Sequence, residues 1–98
     1  MTVLAVTTVR VDPGSIDALA ELFAETNPAL VAEYDDWLGA WFSADREDGE
    51  ICVIARWRSA ASYEQLRASE AYHTTMQQFA ASFLAPPEVR LYEVAVEM

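Results

Sequence analysis

The chain has 98 residues, enough for one domain whose core can fold alone but with little surplus. Its sixteen carboxylates face six arginines and no lysine, and the resulting charge of −10 repels nucleic acids and anionic membrane surfaces, so neither is expected as a partner. The absence of lysine removes Schiff-base chemistry, three scattered glycines make no phosphate loop, and one cysteine with one histidine make no tetrahedral zinc site, so no cofactor or metal is expected.

Residues Val3 to Val11 are rich in valine and threonine and apolar on both alternating faces, which predicts a strand covered on both sides. The stretch lacks a basic leader and soon meets Arg10 and Asp12, so it reads as a strand rather than a secretion signal. With Cys52 unable to pair internally, the expected compartment is the reducing cytoplasm. The segment "DPGS" turns the chain, with Ser15 placed to cap a helix, and Ile16, Leu19, Ala20 and Phe23 then recur at helical spacing. Asn27-Pro28 is expected to end or kink this helix, followed by a further turn or two over Ala29 to Tyr34.

"WLGAWFSA", Trp37 to Ala44, predicts a second strand with Trp37 and Trp41 on one face and Leu38 and Phe42 on the other. Asp48-Gly49 marks a hairpin turn into a third strand, Ile51 to Trp57, again apolar on both faces. Ser59 can cap a short helix to about Arg67, and Ser69 another to about Leu84 with Tyr72, Met76, Phe79 and Phe83 as its apolar stripe. Pro86-Pro87 breaks that helix, and Val89 to Val96 alternates as a fourth strand. The order βαββαβ over residues 1–98 predicts a single α+β domain of ferredoxin-like type. Helices with one apolar stripe each cover only one face of the sheet, so the other apolar face calls for a second copy, a homodimer.

With "DPGS" and above all "RWRSAASYEQLRASEAYH", residues 56–73, the chain resembles the antibiotic-biosynthesis-monooxygenase-like proteins. The shared residues are a tryptophan closing the third strand, here Trp57, followed by Ser59, Tyr63, Ser69 and Tyr72. The resemblance implies a dimeric α/β barrel with an apolar cavity and several possible chemistries. Its quinone-forming branch, which oxidises anthrone-type compounds without a cofactor, carries an asparagine four residues before the tryptophan and a tyrosine six after it. Trp57 and Tyr63 match, whereas the asparagine position holds Val53. The haem-degrading branch requires an asparagine on the first strand and a tryptophan and histidine on the later helices. Those helix positions hold Leu66 and Met76, so haem degradation is not expected.

Three residues are candidates for chemistry. Trp57 can donate its indole N–H to a substrate oxygen or simply close the strand end. Tyr63 can orient the same oxygen or simply pack. His73, the one side chain with an ordinary pKa near neutrality, is the candidate general base, with a half-exposed idle histidine as the plainer reading. Trp37, Trp41, Tyr72, Met76, Phe79 and Tyr92 are the expected substrate-binding walls. The expected function is a cofactor-independent monooxygenase acting on a small apolar or aromatic, polyketide-like molecule. The alternatives are a binding module without catalysis and a cyclase or isomerase in which His73 moves protons.

Overall fold

The computed structural model describes all 98 residues and realises the expected order. The strands and helices are β1 (Val3–Arg10), α1 (Ile16–Val31), β2 (Trp37–Asp45), β3 (Glu50–Trp57), α2 (Ala60–Arg67), α3 (Glu70–Ala80) and β4 (Glu88–Glu93), with a 3₁₀ turn at Pro13–Ser15. All strand pairs are antiparallel and the sheet order is β2-β3-β1-β4, the ferredoxin-like arrangement.

The expected α/β barrel is corrected by this topology. The sheet is open, with β2 and β4 as free edges, and it does not close on itself. The reason is strand number: about eight strands are needed before a closed sheet has room for its inward side chains, and this chain has four.

The local signals act as read, with four corrections. Ser59 and Ser69 cap α2 and α3, accepting from the N–H groups of Ser62 (3.3 Å) and Tyr72 (3.1 Å). At the start of α1, however, the capping side chain is Asp12, which accepts from the Gly14 N–H (2.8 Å), because Pro13 opens a 3₁₀ turn ahead of the helix. Ser15 makes no capping bond and donates to the Asp12 carbonyl instead (2.7 Å). Pro28 neither ends nor divides α1, which runs unbroken to Val31. It lies on the exposed side, where the one carbonyl that loses its helical partner can bond to water.

The third correction concerns β2. Its register against β3 shifts between Trp37 and Gly39, and Gly39 has φ +138°, a conformation that favours glycine. The bulge inverts the alternation, so Trp37 shares a face with Phe42 while Trp41 points the other way. The fourth is at the chain end: β4 stops at Glu93, three residues short of Val96.

In the β2–β3 hairpin only Gly49 has positive φ, +73°. Any Cβ there would collide with the Val11 carbonyl, and the Gly49 carbonyl accepts from the Val11 N–H (2.8 Å). The hairpin is thereby tied to the end of β1.

One face of the sheet lies under the helices. Along the strands it presents the rows Trp37–Trp57–Val3, Ala40–Ala55–Ala5, Phe42–Val53–Thr7 and Ala44–Ile51–Val9. The first row belongs to a core cluster with Val31, Tyr63 and Leu66, and Ile51 and Val9 of the last to a second cluster with Ile16, Leu19 and Phe79. The other face carries Leu4, Val6, Ile54, Trp41 and Tyr92 in the open. That face is apolar but uncovered within the chain, contrary to a strand buried on both sides.

Candidate functional site

Between the two core clusters lies a cavity of about 120 Å³. Its origin is legible in the register: the row Ala40–Ala55–Ala5 puts three methyl groups side by side where the flanking rows carry large side chains. Thr7, Val53 and Ala55 stay half-buried although they lie beneath the helices, so α1 and α3 do not close over this floor. A void of this size holds about one six-membered ring.

Trp57 stands at one end of the floor. It is 1% exposed, and its ring meets Tyr34 (5.8 Å) and Tyr63 (5.9 Å) edge-on, geometries that hold the indole in one orientation. Tyr63, 5% exposed, is carried in by the first turn of α2. That turn is fixed by Asp36, whose Oδ2 accepts from the Ser62 (2.7 Å) and Ser59 (3.1 Å) hydroxyls. Those two bonds hold the Asp36 carboxyl below its ordinary range.

Two buried polar atoms have no partner in the protein: the Trp57 indole N–H and the Tyr63 hydroxyl. Both belong to residues that line the cavity. An unpaired buried donor costs free energy, about 1–3 kcal/mol, unless something bonds to it. Tyr72 and Thr7 stand close enough to the Tyr63 hydroxyl to affect its proton, but neither makes a hydrogen bond of good geometry with it. Burial, with a smaller contribution from the neighbouring Tyr72, pushes the Tyr63 phenol up to about 12, and burial also raises Tyr72. Both phenols are therefore neutral donors across the physiological range.

This shift has a measurable consequence. A folded-state pKa above the unfolded value of about 10 stabilises the protein below pH 10, and that stability is lost as pH rises toward 12. The two-unit difference corresponds to about 2–3 kcal/mol. Urea unfolding followed from pH 9 to 12 should show this decline, and Tyr63→Phe should flatten it. An identical decline in the variant would assign the effect to other groups.

The structure separates the expected site residues into two groups. Trp37, Trp57, Tyr63, Tyr72, Met76 and Phe79 all line the cavity. Trp41 and Tyr92 do not: they lie on the opposite face, 58% and 47% exposed, Trp41 because of the β2 bulge and Tyr92 because it pairs with Leu4. There the Arg56 guanidinium lies over the Trp41 ring, 5.9 Å from its centre. His73 is exposed on α3 and lines no part of the cavity; one residue beyond Tyr72, it has turned about 100° around the helix and touches the Tyr72 ring from outside. The cavity therefore holds no charged side chain and no histidine.

One residue that the sequence reading passed over is in the wall. Asn27, expected to end or kink the helix before Pro28, lines the cavity because α1 continues through it. The available signal was its spacing of four residues from both Phe23 and Val31, which line the same space.

Several solved structures share the fold. Rv0793 from Mycobacterium tuberculosis is 21% identical with a TM-score of 0.78, the match covering 99% of this chain and 98% of that one. SnoaB from Streptomyces nogalater, a cofactor-independent oxygenase, is 18% identical with a TM-score of 0.76 over 99% and 96%. A conserved protein from Methanosarcina mazei is 12% identical with a TM-score of 0.78 over 94% and 91%. No curated protein matches the sequence. Residues 2–78, which include both cavity donors and all three floor alanines, match the family described as antibiotic biosynthesis monooxygenase, and the chain belongs to that family.

Proposed function

We propose that the protein is a cofactor-independent oxygenase that oxidises an electron-rich aromatic, polyketide-like molecule in this cavity. The observation that carries the reading is the pair of unpartnered donors, Trp57 N–H and Tyr63 O–H, on residues that line a largely apolar space. Two donors that bond to one oxygen stabilise it as an anion where water is scarce. An anthrone ionised in this way gives an electron to dioxygen. The radical pair joins as a hydroperoxide at the reacting carbon, and loss of water leaves a second carbonyl: one CH₂ and one O₂ become one C=O and one H₂O. One ring fits on the floor, and the remaining rings occupy the opening between α1 and α3. The family membership and the oxygenase activity of SnoaB point the same way.

The test is dioxygen uptake with anthrone, without added metal, flavin or haem. The expected result is one O₂ consumed per anthrone, faster than in buffer. Since no group lining the cavity is an ordinary base at neutral pH, the rate should follow the ionisation of the substrate. Binding of anthrone without dioxygen uptake would make the protein a binding module. An isomerase working through His73 loses its support, because His73 lies outside the cavity.

The partner proposed is a second copy of the chain, seated on the open sheet face. That face carries Arg10, Arg56 and Arg90 against Asp45, Glu50 and Glu88, so it is electrically balanced. The remaining surface holds three arginines and thirteen carboxylates. This face brings two such acidic chains together against less net like charge than the rest of the surface carries. Burying about 800 Å² per partner is enough for a stable pair. Sedimentation at micromolar concentration should give a dimer, and Ile54→Asp, in the middle of the apolar patch, a monomer. A monomeric wild-type chain would remove the proposal.

No helix is long and apolar enough to cross a membrane.

A further inference from the structure

The cavity has polar chemistry at a second place, away from the Trp57 and Tyr63 donors. Above the alanine floor, α1 contributes Thr26 and Asn27, and α3 contributes Thr75. Thr26 is occupied, since its hydroxyl donates to the Leu22 carbonyl one turn back (2.8 Å). No such bond engages the Thr75 hydroxyl or the Asn27 carboxamide, although both are half-buried against an apolar space. A carboxamide in that position keeps two donors and an acceptor for whatever enters.

Asn27 stands apart from the first locus along α1. Val31, four residues after Asn27, packs in the cluster that contains Trp57 and Tyr63. Four residues of helix rise about 6 Å. The floor accommodates one ring, so a ligand that reaches both places needs its oxygens at separate positions on that ring.

We infer that Asn27, assisted by Thr75, is a specificity determinant that recognises a second oxygen on the ligand, across the ring from the oxygen held by Trp57 and Tyr63. The preferred ligand is therefore a ring oxygenated at both ends, a hydroquinone-like or hydroxyketone-like unit, rather than one with a single oxygen. This rests on the reading of the cavity as a site for oxygenated aromatic molecules. Asn27 acts in binding and not on the reacting carbon.

The experiment is calorimetric titration of phenol and of hydroquinone, under argon so that neither is oxidised, into the wild-type protein, Asn27→Leu and Thr75→Val. Wild type should bind hydroquinone five- to tenfold more tightly than phenol, the worth of one further hydrogen bond. Asn27→Leu keeps the side-chain bulk and should erase that preference while phenol affinity stays within about twofold, which also reports that the variant is folded. Thr75→Val should reduce the preference without abolishing it. Equal affinities in wild type, or a preference that survives in Asn27→Leu, would overturn the role of Asn27 and leave the cavity reading standing. If wild type binds neither compound, the cavity reading fails and this inference falls with it.

Discussion

Turnover of anthrone should fall by about 10²–10³ in Trp57→Phe, the loss that follows removal of one donor to a developing oxyanion. The substitution is a clean probe because of what surrounds the indole. Trp57 is 1% exposed and wedged edge-on against Tyr34 and Tyr63, contacts that a phenyl ring largely retains. Its N–H has no protein partner, so the fold loses no hydrogen bond when the group is removed. Large-to-small replacement still leaves a small void, and a cost of about 1–2 kcal/mol is expected from packing. The effect should appear in kcat more than in KM, since the charge on the substrate oxygen grows toward the transition state. Dioxygen uptake at saturating anthrone measures it directly. Turnover within twofold of wild type would mean that the indole is a wall and that Tyr63 alone, or neither residue, holds the oxygen.

The second large effect is expected from the floor. Ala55 sits between Ala40 and Ala5, and Ala55→Leu adds three carbons at the centre of the void. Binding of phenol and anthrone should weaken by at least about 100-fold, because the space for the first ring is gone. Stability distinguishes this from ordinary damage. Forcing extra carbons into a close-packed core costs about 1–3 kcal/mol, whereas filling an existing cavity stabilises by about 0.5–2 kcal/mol. Denaturant unfolding of Ala55→Leu should therefore give an unchanged or raised midpoint alongside lost binding. A lowered midpoint with binding intact would show that the alanine row is not the floor of the site.

The parts of the fold legible in the sequence are those set by local chemistry. The valine-rich strands, the Ser59 and Ser69 caps and the helical stripe through Tyr72, Met76 and Phe79 each depend on neighbours within a few residues. The juxtaposition of Trp57 and Tyr63 was also readable, because a strand end followed by a capped turn leaves few routes for the chain. Trp41 and Tyr92 were assigned to the wrong face for a long-range reason: a strand's facing is set by its partners, and the single glycine bulge at Gly39 shifts everything after it. Asn27 was hidden by the proline beside it, since a local rule that ends helices is overridden where the proline faces water. The void itself is a property of three strands in register. Ala5, Ala40 and Ala55 are unremarkable in sequence and meaningful only side by side.

An open sheet leaves two rows of backbone hydrogen-bonding groups at its rims, which invite uncontrolled strand addition and fibre growth. Both rims here are guarded, each by a different device. β2 carries the Gly39 bulge, which breaks the regular spacing that an incoming strand would have to match. β4 is only six residues long, and three of them are Glu88, Arg90 and Glu93, whose charges an added strand would have to desolvate. The bulge that turns Trp37 toward the cavity and Trp41 away from it thus has a second consequence: it helps keep a concentrated solution of this protein from assembling edge to edge. Straightening β2 by deleting Gly39 would remove that protection together with the Trp37 wall, and the resulting chain should form fibrils that bind amyloid dyes.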